Sequence, residues 1–144
     1  MGDGEPLGDE MRLVAAFKKV ALMVLGTAMQ TYGEKLTDEQ EVLSYAADIL
    51  LDAFAAESAV LRARDTRAQT DLHQAAARLF VHDAGQRVEM AARSALAAMA
   101  EGDTLRTLLA ALRRLLKPLP VNTVALRRVL ADATVASGRY ILNS

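Results

Sequence analysis

The sequence predicts an all-α fold, an up-and-down helical bundle of three long helices with two shorter C-terminal helices. Apolar residues recur every three or four positions, which is the spacing of one helix face, and strand-like alternation is missing. The prolines lie at Pro6, Pro118 and Pro120, so the long interior contains no strong helix breaker. With 144 residues, 52% of them hydrophobic, the chain can bury one core. We therefore expect a single helical domain over residues 1–144, with residues 1–8 as a flexible leader.

The first predicted helix covers residues 9–32. Apolar side chains surround it on nearly every side from Val20 to Leu25, and Gly33 follows it as a natural C-terminal cap. We expect it to be the central and most enclosed helix. The longest uncharged apolar run ends at Met29 and has about half of the roughly 20 residues that cross a bilayer, so we expect no membrane span.

The second predicted helix runs from Thr37 to about Arg64. It should begin with a capping box, in which the Thr37 hydroxyl and the Gln40 amide satisfy free backbone N–H groups. Spacings of three and four place its apolar residues on one stripe. These residues are Val42, Ala46, Ile49, Leu50, Ala53, Ala56 and Val60.

The third predicted helix covers residues 70–100 and stops at Gly102. Gly85 lies in its middle, where a glycine costs about 1 kcal/mol relative to alanine, so we expect a close helix crossing or a local bend there. The side chains expected to face inward are Leu72, Ala76, Leu79, Phe80, Val88, Ala91, Ala95, Leu96 and Met99.

Two shorter helices are predicted to follow. Asp103 can cap a fourth helix, which Pro118 and Pro120 then end. Asn122 can cap a fifth, with Gly138 near its end. The fourth helix carries Leu105, Leu108, Leu109, Leu112, Leu115 and Leu116 on one face, and the fifth points Leu126, Val129, Leu130 and Ala133 inward.

Several kinds of chemistry are disfavoured by the residues present. The absence of cysteine excludes disulfides, thiolate nucleophiles and cysteine-ligated metals, and the scattered glycines form no phosphate-binding loop. His73 and His82 are nine residues apart on one helix, so they point to opposite sides and cannot share a metal within the chain. We expect His82 to be a structural histidine on a polar face, paired to a neighbouring helix, and His73 to pair with Asp71 at a helix end.

Asp48 and Asp52 are one helical turn apart on the second predicted helix. This spacing is compatible with acid–base chemistry, but a solvated polar face is the favoured interpretation because no histidine or nucleophile motif lies nearby. Alternatively, Asp48 could be a structural residue, buried at a helix crossing and bound by an arginine from the third or fifth helix.

Charge is divided along the chain. Residues 1–58 hold 11 acidic and 4 basic side chains, whereas residues 59–144 hold 7 acidic and 13 basic ones. The simplest interpretation is that acidic early helices face basic later ones, within a subunit or across a dimer; the alternative is that the basic part meets another partner. The candidate interaction residues are Arg106, Arg113, Arg114 and Lys117 on the fourth helix, followed by Arg127 and Arg128 on the fifth.

The fourth helix is amphipathic and basic over residues 105–117. Such a helix can cover a core or lie on an anionic membrane surface, and the lack of tryptophan favours the core. Nucleic acid is not an expected partner, because the chain has few aromatic side chains and no base-reading motif.

Four segments resemble a known family. The stretch Leu36 to Arg62, LTDEQEVLSYAADILLDAFAAESAVLR, resembles the helix that opens the extra C-terminal region of very-long-chain-type acyl-CoA dehydrogenases, especially bacterial ones. Phe80 to Ala84 (FVHDA), Ala100 to Leu109 (AEGDTLRTLL) and Asn122 to Ala131 (NTVALRRVLA) match further segments in the family's order. The resemblance implies the appended helical domain of enzymes in fatty acid β-oxidation.

The resemblance also implies what this chain does. Family enzymes bind FAD and oxidise acyl-CoA thioesters in domains that this chain lacks. The resemblance therefore implies no cofactor, no catalytic residue and no enzyme activity for the chain alone. It implies a non-catalytic assembly domain, cytoplasmic, whose partner is a second copy or an acyl-CoA dehydrogenase catalytic body. The alternative is a membrane-surface or lipid-associated module that acts through the helix 105–117. The acidic start, MGDGEPLGDE, lacks the positive charge of an export signal, so we expect none.

Overall fold

The computed structural model describes residues 7–65, 70–117 and 123–137, and this part of the chain is helical and contains no strand. The all-α prediction is thereby confirmed. The elements are α1 (Gly8–Tyr32), a 3₁₀ helix (Gly33–Asp38), α2 (Gln40–Asp65), α3 (Thr70–Met99), α4 (Gly102–Leu115) and α5 (Thr123–Ser137).

The three long helices form the core, and α3 lies at its centre. It packs against α1, α2, α4 and α5. α1 packs mainly against α2, α3 and the 3₁₀ helix that follows it, and it makes a smaller contact with α4. The prediction that α1 is the central helix is wrong. Its run from Val20 to Leu25 is apolar on every side, but its neighbours cover one part of that surface and leave Leu22 68% exposed.

The predicted stripe of α2 is buried in the structure. Val42, Ala46, Ile49, Ala53, Ala56 and Val60 are all buried, joined by Ala63, and Leu50 is half-buried. The spacing of three and four showed clearly which side of α2 is buried, because polar residues lie between the apolar stripe and the outer face.

The start of α2 differs from the predicted capping box. α1 ends where expected, at Gly33, which has a positive φ of 55° and donates its N–H to the carbonyl of Met29. The chain then forms the 3₁₀ helix that contains Thr37, so α2 begins at Gln40. The Gln40 side-chain amide donates to the backbone carbonyl of Thr37 at 2.6 Å, which fixes the junction in place of the reciprocal cap.

The first half of α3 is turned relative to the prediction. Ala77, Val81 and Ala84 are buried, while Leu79 and Phe80 are half-buried at the sides. Alanines occur on every side of this segment, so the sequence did not show which side of the helix faces the core. The second half buries Val88, Ala95 and Leu96 as predicted.

Gly85 lies at a helix contact, as expected from its position. The fully buried ring of Phe17 on α1 lies against it, and a Cβ atom at Gly85 would be 3.5 Å from Phe17 Cζ. That distance is an ordinary van der Waals contact, so the contact would accept an alanine.

The two short helices pack on the outside of the bundle. α4 begins at Gly102, after the N-cap Glu101, so Asp103 does not cap it and instead binds Arg106 in the first turn. α4 ends at Leu115, before the prolines. The predicted breakers Pro118 and Pro120, the predicted cap Asn122 and Gly138 lie outside the described residues, as do residues 1–6 of the predicted leader.

Two residues of the predicted leader are ordered parts of the fold. Leu7 is buried, with a φ of 63°, and Gly8 opens α1. A positive φ is costly for leucine, so its buried contacts must hold it there.

By length and composition alone, one helix of the described chain could cross a membrane. It spans Gly8–Asp38 and has a mean hydropathy of 1.4. The core helix of a soluble protein passes the same test, and Phe17, Val20 and Val24 of α1 are completely buried inside the bundle. We therefore interpret α1 as a core helix with a second, exposed apolar side.

Substitution of two helical glycines by alanine should stabilise the fold. Gly26 in α1 has open space around it and Gly85 has room for a methyl group, so each Gly→Ala change should raise the free energy of unfolding by about 0.5–1 kcal/mol. Gly33→Ala should lower it by about 1 kcal/mol, because φ is positive there. Urea unfolding followed by circular dichroism measures all three. A loss of stability in Gly85→Ala alone would mean that Phe17 is more tightly confined than described.

Candidate interaction surfaces

A buried carboxylate ties the first turn of α1 to α3. Glu10 is 4% exposed, and its Oε2 lies 3.1 Å from His82 Nε2 and 3.6 Å from Arg78 Nε. His82 and Arg78 are one turn apart on α3, which brings both to the same carboxylate. The structure thus places His82 against a neighbouring helix. The partner Glu10 was missed in the sequence, since an acid in a first helical turn usually faces solvent.

Arg87 of α3 reaches α2, where it binds Asp52. The aspartate that was considered for this role, Asp48, lies one turn earlier. Arg87 Nη2 donates to Asp52 Oδ1 at 2.9 Å, and Arg87 Nε donates to both carboxylate oxygens at 3.2 and 3.3 Å. Asp48 is exposed instead of lying at the crossing. By accepting these hydrogen bonds, Asp52 raises the pKa of Arg87 above its usual value. The guanidinium also lies 5.7 Å from the centre of the Phe80 ring.

The basic side of α4 faces solvent, and its leucines face the bundle. Leu112 and Leu116 are buried, and Leu105, Leu108, Leu109 and Leu115 are half-buried against the core. The interpretation of this leucine stripe as a core cover is therefore confirmed. Arg113, Arg114 and Lys117 are exposed on the opposite side.

The six candidate basic residues do not share one environment. Arg106 binds Asp103 at 2.6 Å, and Arg127 reaches α3, where its Nη2 donates to both oxygens of Asp83 at 2.8 and 2.9 Å. Within the described ranges, Arg113, Arg114, Lys117 and Arg128 have no acidic partner, and all four are exposed. These four charges remain available to another molecule.

An exposed apolar surface runs along α1 and α2. We define the α1–α2 face by five side chains between 48% and 68% exposed: Leu22, Met29, Leu51, Phe54 and Leu61. At its edge, Lys18 binds Glu57 at 3.0 Å and lies 5.7 Å from the centre of the Phe54 ring. This ion pair joins α1 to α2 at the edge of the face.

Sequence reasoning did not identify the α1–α2 face. A signal was present, because α1 is apolar on nearly every side and Leu51 and Phe54 fall outside the buried stripe of α2. Periodicity cannot show which of two apolar sides another helix will cover.

No catalytic constellation is assembled in the described part of the chain. A shallow concavity of about 380 Å³ on α3 is lined by Gln86, Glu89, Met90, Arg93 and Ser94, which include no nucleophile with an adjacent base. No group of three or more histidine or acidic side chains among the described residues could hold a metal ion. His73 is half-buried.

Removal of the buried carboxylate contact should destabilise the fold. His82→Ala should lower the free energy of unfolding by about 1–3 kcal/mol, because it leaves the buried Glu10 carboxylate without its hydrogen-bond partner, and Glu10→Gln should also lower it, because it removes the charge that attracts Arg78. Asp103→Asn is the matched control, since it removes an ion pair that is almost fully exposed and should change little. Thermal and urea unfolding measure the difference. Equal losses in Glu10→Gln and Asp103→Asn would show that the buried contact adds no net stability.

The comparisons with known proteins cover nearly the whole chain. The sequence profile of the family described as "Acyl-CoA dehydrogenase, C-terminal domain" matches residues 16–114. A probable acyl-CoA dehydrogenase of Bacillus subtilis (strain 168) is 37% identical over 139 residues, a match that covers 93% of this chain and 23% of that protein. The crystal structure of an acyl-CoA dehydrogenase complexed with FAD from Bacillus anthracis superposes with a TM-score of 0.88 at 35% identity, covering 94% of this chain and 25% of that one.

The chain therefore spans about a quarter of the length of these bacterial relatives. The family match covers residues 16–114, from within α1 into the last turn of α4, and therefore contains the α1–α2 face, His82 and the bases Arg113 and Arg114, whereas Glu10 precedes it. The resemblance inferred from the four sequence segments is confirmed, and the chain belongs to the family of acyl-CoA dehydrogenase C-terminal domains.

Proposed function

We propose that this chain is a non-catalytic assembly domain for an FAD-dependent acyl-CoA dehydrogenase of fatty acid β-oxidation. One observation carries the proposal: the chain belongs to a C-terminal domain family and spans a quarter of its relatives, so the larger part of such an enzyme lies elsewhere. The domain docks onto a dehydrogenase body or pairs with a second copy.

Flavin binding and acyl-CoA oxidation then belong to the catalytic body. Among the residues that the structure describes, the concavity on α3 contains no nucleophile–base pair, lies on a single helix and is open to solvent. The titratable groups that are buried or paired, such as Glu10 and Asp52, bind arginine or histidine between helices. Their arrangement supports a structural use of polar residues.

The basic side of α4 and α5 supports a docking role. Arg113, Arg114, Lys117 and Arg128 project into solvent without acidic partners in the described chain. Complementary charge across an interface speeds association and fixes its register. We assign these side chains to contact with an acidic surface of the dehydrogenase body, together with the outer side of α2.

A membrane-surface role for α4 is less favoured. Interfacial helices bury their apolar face in lipid, yet Leu112 and Leu116 are already buried against the bundle and the other leucines of α4 are half-buried there. We propose that the domain works in the cytoplasm beside its enzyme.

Charge reversal on α4 tests the docking role. Arg113→Glu combined with Arg114→Glu should weaken binding to a dehydrogenase that lacks its own copy of this domain by about tenfold or more at low salt. Lys35→Glu with Arg93→Glu makes the same change in net charge on exposed sites outside α4 and should weaken binding far less. Isothermal titration calorimetry measures both affinities, and unchanged binding in the α4 variant would move the docking surface elsewhere.

The absence of catalysis can be tested directly on the purified chain. It should carry no flavin absorbance after incubation with FAD and desalting, and it should not reduce an electron acceptor when given acyl-CoA. Retention of one flavin per chain would contradict the proposal.

A further inference from the structure

α5 is attached to the bundle through one neighbour. Among the described elements, its only substantial contact is with α3. None of residues 123–136 is buried, whereas α4, which is one residue shorter, has Leu112 completely buried in the core. Helices in water gain most of their stability from the packing of an apolar face. α5 therefore gains less from packing than the other four α-helices do.

The side of α5 that faces α3 is apolar but only half-buried. Leu126, Leu130 and Ala133 are four and three residues apart, which places them on one line along the helix. None of the three packs into the buried core. On the opposite side, Val124 and Val135 are 58% and 81% exposed. α5 thus lies on the surface of the bundle and is not part of its core.

On α3, a line of half-buried side chains lies under α5. Ala76, Leu79 and Asp83 are three and four residues apart, so they lie along one side of the helix. Asp83 accepts hydrogen bonds from Arg127 of α5, so this side of α3 faces α5. We define the covered line of α3 as Ala76, Leu79 and Asp83.

An ion pair fixes the position of α5 on α3. Arg127 Nη2 donates to both oxygens of Asp83, at 2.8 and 2.9 Å. The two side chains are 56% and 27% exposed, so water and dissolved ions weaken their attraction. Exposed ion pairs of this kind stabilise a fold only slightly. Half-buried side chains and a solvent-accessible ion pair therefore hold α5 in place.

We propose that α5 is a strap that detaches from α3 as a unit while α1 to α4 stay folded. Elements with few buried apolar contacts open locally in folded proteins, at a smaller free-energy cost than global unfolding. α5 is such an element, whereas each of α1 to α4 contributes completely buried side chains to the core. When α5 detaches, it uncovers the covered line of α3 and leaves Asp83 free for another partner.

Detachment of α5 divides the exposed bases into two groups. Arg113 and Arg114 belong to α4, which stays in place, whereas Arg128 moves with α5. The basic surface then has a fixed part and a movable part. This movement occurs with or without a dehydrogenase body, so it does not depend on the proposed assembly function.

Hydrogen–deuterium exchange followed by mass spectrometry tests whether α5 opens separately. On the full chain, the amides of α5 should be protected about a hundredfold less than those at the centres of α2 and α3, because α5 opens without unfolding the bundle. Equal protection of α5 and α3 would overturn the proposal.

A single thiol tests whether the covered line becomes accessible when α5 opens. The chain has no cysteine, so Leu79→Cys supplies one reporter for iodoacetamide. Arg127→Gln should speed its labelling by about twofold to fivefold, because it removes the ion pair that holds α5. Arg128→Gln is the matched control, since Arg128 is the next residue and is exposed, and it should leave the rate unchanged.

A second reporter separates local opening from global unfolding. Val88→Cys places the thiol at a completely buried position of α3, which only global unfolding uncovers. Its labelling should be slow and should not respond to Arg127→Gln. An Arg127→Gln change that leaves labelling at Leu79→Cys unaltered would contradict the strap, and so would one that speeds labelling equally at both positions.

Discussion

The close packing of α3 against α1 and α2 through small side chains is the constraint on which the rest of the structure depends. Where α3 enters the core it presents Ala77, Ala84, Ala92 and Ala95 between valines, and at Gly85 it presents no side chain at all. Small residues bring helix axes close together, and a single large ring, Phe17, fills the space that remains. A core built in this way buries little apolar area per residue. Larger apolar side chains therefore remain at the edges, where α4 covers some of them and others are exposed on the α1–α2 face.

Polar contacts set the alignment of the helices within this packing. Apolar stripes of alanine and valine are nearly uniform along their length, so they tolerate sliding by a turn. Three contacts between different helices remove that freedom: Glu10 with His82 joins α1 to α3, Asp52 with Arg87 joins α2 to α3, and Lys18 with Glu57 joins α1 to α2. The exposed pairs add little to the free energy of unfolding. Their value lies in the single register that they favour.

The sequence predicted which helices form better than it predicted which side of each helix is buried and where each helix begins and ends. The stripe of α2 was predicted correctly because polar residues border it on both sides. The alanines of α3 allowed several stripes, and the predicted stripe is rotated relative to the buried one. The capping box at Thr37 was chemically reasonable, but a 3₁₀ helix follows Gly33, and the Gln40 amide donates to the Thr37 carbonyl instead. Glu10 and the α1–α2 face could not be predicted for a related reason. Burial depends on which side of a helix its neighbours occupy, and local spacing carries no information about neighbours.

The distribution of uncommitted surface supports an assembly role over a catalytic one. An active site places converging polar groups in a concave, protected space, whereas the polar groups that converge in this structure join one helix to another. What remains exposed is spread over convex or open surfaces: the apolar α1–α2 face and a row of bases on α4. Surfaces of that kind recognise other proteins. Because α4 packs against both α1 and α3, it separates the exposed apolar face from the bases on its own outer side.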